Sequence, residues 1–158
     1  AYRVDGTVAS DPETRLGGHV FFEFRAPADP DTRVECVAFE PTKRCRDLVR
    51  ALRPGYDLTV CGEVGDGTVK LEKFAVRSLR RTEQTTPTCD DCGRTMESAG
   101  RDQGYRCRDC GTAAGERATV ALNRDLDVGW YEVPPRARRH IAKPLVRGGF
   151  DAPTHPER

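Results

Sequence analysis

Four of the seven cysteines fall as two Cys-x-x-Cys pairs, Cys89-Asp-Asp-Cys92 and Cys107-Arg-Asp-Cys110, with fourteen residues between them. Each pair is followed by glycine, Gly93 and Gly111, so each can close a tight knuckle. Two knuckles bring four thiolates to one tetrahedral ion, and zinc accepts sulfur at ~2.3 Å without a geometric preference of its own. The intervening stretch reads as a hairpin turning at Arg101-Asp-Gln-Gly104. A segment this short buries too little core to fold alone, so the metal supplies the missing stability. Two disulfides or a redox pair would use the same residues; without a secretion signal, the doubled Cys-x-x-Cys-Gly pattern favours zinc. Cys36, Cys45 and Cys61 lie in apolar-periodic segments with no ligand-spaced partner and read as small core hydrophobes.

The first eighty residues carry a different pattern. Tyr2–Ala9, His19–Arg25 and Thr32–Glu40 alternate at period two, with Val20, Phe22 and Phe24 on one face and Phe21, Glu23 and Arg25 on the other. From Pro41-Thr42 the period lengthens: Cys45, Leu48, Val49 and Leu52 recur as on one face of a helix, with Thr42 as N-cap and Pro54-Gly55 beyond its end. Asp57–Val64 and Thr68–Leu79 follow as strands joined by Gly65-Asp-Gly67. Three strands, a helix and two strands is the order of an OB-fold, a small barrel that often holds oligonucleotides. An SH3-like barrel is the rival, but the helix after the third strand argues for OB. The expected architecture is therefore mainly β: an OB barrel over 1–80, a polar linker over 81–88, a zinc ribbon over 89–120 and an irregular basic segment over 121–158.

With 37% hydrophobic and 32% charged residues and a mean hydropathy of −0.65, the chain has no run long enough to span a membrane. It starts at Ala1 with no initiator Met and no signal-peptide pattern, which suggests a fragment and a cytoplasmic setting. The net charge of +1 announces no global nucleic-acid field, so any electropositive surface is local.

A catalytic constellation is missing. No phosphate-binding Gly-x-x-x-x-Gly-Lys-Ser/Thr loop occurs, and the three histidines are scattered. The chain reads as a binding device. Its first candidate is Trp130–Arg147, where Trp130 and Tyr131 precede Pro134-Pro135 and then Arg136, Arg138, Arg139, His140 and Lys143. Guanidinium forks suit phosphate oxygens, and aromatic faces stack on unpaired bases; the plainer alternative packs both aromatics and leaves the arginines solvated. The second candidate is the outward face of the second and third strands, with Phe21, Arg25 and Arg33, provided the register is not shifted by one residue.

Several stretches together resemble a known family. They are Gly17-Gly-His-Val20, Ala38-Phe-Glu-Pro-Thr-Lys43, Gly104-Tyr-Arg-Cys107 and above all Tyr131-Glu-Val-Pro-Pro-Arg-Ala-Arg-Arg-His-Ile-Ala-Lys-Pro-Leu145. The resemblance is to the C-terminal part of the archaeal isoleucine-tRNA 2-agmatinylcytidine synthetases. It implies an ATP-dependent ligase that joins agmatine to the wobble cytidine of an isoleucine tRNA. In such a protein ATP and the chemistry belong to an N-terminal kinase-like domain, and the OB and ribbon parts grip the tRNA. Asp90 stands where such ribbons often carry Pro, which leaves the ligands intact. On this reading the partners are tRNA and the N-terminal domain of the same parent, with zinc as the cofactor of these 158 residues. A stand-alone single-strand-binding OB protein and a protein-interaction module are the alternatives.

Overall fold

The computed structural model describes residues 1–121, 126–139 and 142–157. Five strands make the barrel: β1 (Tyr2–Val8), β2 (Val20–Arg25), β3 (Arg33–Ala38), β4 (Asp57–Gly65) and β5 (Thr68–Ser78). β1 pairs with β2, β2 with β3, β4 with β5 and β4 with β1, all antiparallel. A parallel pairing of β3 with β5, Cys36 opposite Val69, closes the ring. This is the expected OB order. The alternation read in the sequence is the observed pleat: Val20, Phe22 and Phe24 are buried while Phe21 and Glu23 face outward. β4 and β5 are joined by Asp66-Gly67, both at positive φ (53° and 76°), the geometry that a two-residue hairpin turn requires.

Helix α1 (Arg44–Arg50) lies between β3 and β4, and Cys45, Val49 and the following Leu52 enter the core. Its start differs from expectation. Thr42 belongs to a 3-10 turn over Glu40–Thr42 and donates its hydroxyl to the Phe39 carbonyl at 2.6 Å, so it does not cap α1. Lys43, at φ 47°, makes the junction without a side-chain cap. Cys36 and Cys45 are core residues, and burial pushes both thiols up to about 12.

The chain forms two compact units, residues 1–79 with 124–158, and residues 80–123. The second unit holds two small sheets. Strand β6 (Thr82–Thr85) lies within the stretch expected to be a linker and pairs with β10 (Ala118–Ala121). Between them, β7 (Glu97–Ser98), β8 (Tyr105–Arg106) and β9 (Ala113–Ala114) form a three-stranded sheet. The β7–β8 turn falls at the expected residues, with Asp102 and Gly104 at positive φ. A Cβ on Gly104 would stand 2.6 Å from the Ala114 carbonyl oxygen, so the third strand can approach only glycine.

The C-terminal residues return to the barrel and are less irregular than expected. β11 (Gly129–Glu132) extends the barrel sheet antiparallel to β5, with Trp130 opposite Ala75 and Tyr131 opposite Phe74, and β12 (Thr154–His155) pairs parallel to β11. All four β11 residues are buried. Trp130 packs with Ala75 and Leu145 in a small second core that Phe150 and Ala152 flank. Trp130→Ala is expected to cost the barrel unit about 3–5 kcal/mol, the usual range for emptying a buried large aromatic. Urea unfolding followed by circular dichroism measures it.

Candidate metal centre and nucleic-acid interface

The two cysteine knuckles are built alike. In the first, the Cys89 amide donates to the Arg94 carbonyl at 2.8 Å and the Gly93 amide to the Cys89 carbonyl at 2.8 Å. In the second, Cys107 donates to Thr112 at 2.8 Å and Gly111 to Cys107 at 3.0 Å. Gly93 and Gly111 take φ of 66° and 76°, the left-handed conformation each turn needs. The four sulfurs of Cys89, Cys92, Cys107 and Cys110 consequently lie within 4.8 Å of one another. Four sulfurs bound to one zinc at ~2.3 Å stand roughly 3.8 Å apart, so this donor set fits the ion. Cys89 and Cys107 are buried with Met96, while Cys92 and Cys110 are exposed.

The groups around the sulfurs are polar. Thr112 Oγ1 lies 2.9 Å from Cys110 Sγ and 3.1 Å from an Asp91 carboxylate oxygen. Hydrogen bonds from the Thr112 hydroxyl and amide hold the Cys110 thiol down at about 6, whereas Cys92, sharing its hydrogen bonds with Cys110, is pushed up to about 12. Apart from Met96 and the half-buried Tyr105 and Ala114, the knuckles have little apolar cover.

On the barrel, Phe21 keeps the outward position read from the sequence. The Arg15 guanidinium lies 4.0 Å from its ring centroid and also pairs with Glu35 at 2.9 Å and Glu13 at 3.3 Å. Arg33 pairs with Glu23 at 2.6 Å, while Arg25 is exposed. The face is thus a ring of compensated charges around one aromatic, and Arg15 is a member that alternation alone did not single out.

The Trp130–Lys143 residues are not one free patch. Trp130 and Tyr131 are 2% and 6% exposed, so neither ring offers a face for a base. Tyr131 is covered from β5 and β12, and Trp130 by Ala75, Leu145 and Phe150. Tyr131 stacks on Phe74 and His155, and its hydroxyl bonds the backbone of Asp127. Trp130 Nε1 donates to Asp151 at 2.9 Å. Arg138 turns inward to Glu132, a carboxylate 1% exposed, at 2.6 Å. Arg139 bridges Glu63 and Glu72. Arg136 and Lys143 remain exposed and make no ion pair among the described residues; Lys143 Nζ lies 5.1 Å from the Phe150 ring centroid. His140 lies outside the described residues. The signal for the inward turn was Glu132 itself, an acid set between Tyr131 and Val133 in an otherwise apolar run.

Asp151 anchors the C-terminal segment. It accepts two bonds from Arg77, at 3.1 and 3.2 Å, one from Arg3 at 3.1 Å and one from Trp130. These donors, Arg77 foremost, hold its carboxyl well below the usual carboxylate range.

The described residues thus form an OB barrel, a fold class often used to hold oligonucleotides, and a four-cysteine ribbon whose donor set fits zinc. The family profile described as TiaS C-terminal zinc ribbon domain matches residues 86–126. The chain is 52% identical to the isoleucine-tRNA 2-agmatinylcytidine synthetase TiaS of Haloquadratum walsbyi, with all of this chain and 42% of that protein covered. The corresponding Methanosarcina mazei protein is 46% identical over 93% of this chain and 34% of its own length. Among solved structures, a complex of TiaS with its isoleucine tRNA and ATP aligns with a TM-score of 0.80 at 42% identity, covering 99% of this chain and 36% of that one. Apo TiaS aligns with a TM-score of 0.74 at 44% identity over 95% and 36%. The chain belongs to the TiaS family, corresponding to its OB-fold and zinc-ribbon part. It spans about a third to two fifths of the length of these relatives.

Cobalt(II) added to the metal-free chain is expected to give the absorption of a tetrahedral thiolate site at one ion per chain. Cys110→Ser abolishes it, and removing the metal unfolds the 80–123 unit while Trp130 fluorescence, which reports the barrel, is unchanged. Asp151 has a depressed folded pKa, so the stability it contributes is present above its unfolded value of ~3.9. That contribution is lost as the pH falls through the lower folded value. Asp151→Asn is therefore less stable than the unaltered chain at neutral pH. The difference narrows steadily as the pH is lowered into the acid range, as urea unfolding of Trp130 at each pH measures.

Proposed function

We propose that this chain is the tRNA-gripping part of an ATP-dependent ligase that joins agmatine to the wobble cytidine of an isoleucine tRNA. The observation that carries the reading is the similarity, along 99% of the chain, to TiaS in a complex with its isoleucine tRNA and ATP. Among the described residues nothing resembles a phosphoryl-transfer site, in keeping with chemistry and ATP binding in the remainder of the parent. Cys89, Cys92, Cys107 and Cys110 hold zinc, which gives the ribbon its fold. Arg25, Arg33, Arg136 and Lys143 contact phosphates, and Phe21 offers a stacking face once Arg15 moves aside. Arg139 joins them only by giving up Glu63. Trp130, Tyr131 and Arg138 act indirectly, by seating the segment that carries Arg136 and Lys143.

Binding to the folded isoleucine tRNA, to unstructured RNA of equal length and to single-stranded DNA at several salt concentrations tests this. A preference for the folded tRNA is expected, with affinity falling linearly on a log–log salt plot. The Arg136→Ala/Lys143→Ala pair is expected to reduce the slope by about 2, one for each phosphate contact removed. Equal or tighter binding to unstructured strands would point to a stand-alone single-strand module. Failure to bind any of them would sink the RNA reading for these residues.

A further inference from the structure

Two of the stretches that carry the family resemblance, Ala38–Lys43 and Tyr131–Leu145, are about ninety residues apart in the chain and contribute nothing to the metal centre. In the barrel they meet across β5. Phe39 and Pro41 from the first, Ala137 from the second and Leu71 of β5 wall a cavity of about 290 Å³. A third stretch, Gly17–Val20, braces the same place. The His19 ring stands edge-on to Phe39, with centroids 5.3 Å apart and planes at 83°, and its Nδ1 accepts the Glu40 amide at 3.0 Å. An aromatic wall whose own orientation is held from behind is a prepared surface for a flat ligand.

The cavity also holds an incompletely satisfied acceptor. Glu72 lines it, with a side chain only 10% exposed. Its Oε1 has no hydrogen-bond partner among the described residues. Arg139 Nε stands 3.0 Å from that oxygen and supplies counter-charge without the alignment of a hydrogen bond; the same guanidinium is shared with Glu63. A buried carboxylate oxygen whose counter-charge is shared and poorly aligned keeps accepting capacity, which a ligand N–H can use. Lys70 and Arg139 set two positive charges against Glu63 and Glu72, so the site has no net appetite for a cation. It suits a neutral, flat group, and Lys70, which makes no ion pair among the described residues, can face an attached phosphate.

The volume lies at the small end of the range for ligand pockets, roughly 300–1,000 Å³, and suits a single base. Unpaired RNA bases are recognised by burying the ring against apolar walls and hydrogen-bonding its edge. We infer that the cavity between Phe39, Leu71 and Ala137 receives one unpaired, amino-bearing nucleobase of the bound RNA, with Glu72 accepting from the exocyclic amine and Lys70 and Arg139 facing its phosphate. This rests on the tRNA-binding reading above and adds to it a base-selective site. Uracil presents a carbonyl oxygen where cytosine presents the amine, and the Glu72 carboxylate repels it.

The test uses the whole 158-residue chain with CMP, UMP and ribose 5-phosphate, read by methyl NMR at Leu71 and Ala137. CMP is expected to shift both methyls saturably, UMP to bind at least fivefold more weakly, and ribose 5-phosphate to leave them unmoved. Glu72→Gln brings the CMP-to-UMP ratio below twofold. Ala137→Leu, which fills the cavity from a half-buried position, removes the response to both; the Trp130 fluorescence of each variant verifies its fold. Equal CMP and UMP affinity, methyl shifts with ribose 5-phosphate, no shift with any probe at millimolar concentration, or an unchanged ratio in folded Glu72→Gln would each overturn the inference. Binding of the isoleucine tRNA by the unaltered chain is scored separately. If tRNA binds but CMP elicits no response, the base site alone falls; if tRNA does not bind, both readings fall.

Discussion

Closure of the barrel depends on β4 and β5 bending hard enough for each to pair on both of its edges. β4 must leave β1 and turn with β5, and it does so at a register irregularity between Cys61 and Gly62. A Cβ at Gly62 would lie 2.0 Å from the Lys70 carbonyl oxygen, so the close approach of the two backbones admits only glycine. Gly6 does the same in β1, where a Cβ would meet the Arg25 carbonyl oxygen at 2.3 Å. Everything placed on the barrel follows from these two bends. They set where β5 presents Leu71 and Glu72 to one side and Ala75 to β11. They also let β3 reach β5 for the single parallel pairing that leaves the ring without a free edge.

The second constraint is electrostatic. Charged side chains are rarely buried unless paired, and this chain buries a few. Glu132 is such a group, and Arg138 answers it at 2.6 Å. Desolvating both ions offsets much of their attraction, so the pair is weak evidence for stability, whereas removing one partner leaves a buried charge at a cost of about 3–5 kcal/mol. Glu132 also accepts the Leu145 amide at 3.0 Å, so one carboxylate ties both Arg138 and Leu145 to β11. Lys73 adds a further tie by donating to the Lys143 carbonyl at 2.6 Å.

These two constraints explain which features were legible in the sequence. Period-two alternation located β2 and its outward Phe21, and the i, i+3, i+4, i+7 spacing located α1, because one-sided burial leaves a local imprint. The cysteine knuckles were legible because ligand spacing is local as well. Pairings between distant short segments left no such imprint. Thr82–Thr85 joins Ala118–Ala121 across the whole ribbon, and a Thr-Glu-Gln-Thr strand lacks an apolar face to betray it. Gly129–Glu132 is buried at every position, so alternation had nothing to report. Thr42 had the right side chain for an N-cap, but the strained turn at Lys43 claimed its position first. The basic cluster was legible as charge but not as commitment: a run of arginines does not reveal which of them answer an acid brought from elsewhere in the fold, as Glu63 and Glu72 are.

The two units are consequently stabilised by different physics. The barrel unit buries a contiguous core running from Val8 to Val133. The ribbon buries Cys89, Met96 and Cys107 and little more, so ligation has to supply most of its folding free energy; apparent zinc affinities of about 10–16 kcal/mol are ample for that. On the tRNA-binding reading proposed above, a grip assembled this way would have two separable halves, one lost with the metal and one that persists without it. Charge divides in the same manner. Most of the arginines near Phe21 and along residues 136–139 are committed to acids within the fold, which leaves few of them for phosphate. On that reading, binding through so few contacts requires that they be held rigidly and used together, and the ties at Glu132, Asp151 and the Lys143 carbonyl supply such rigidity.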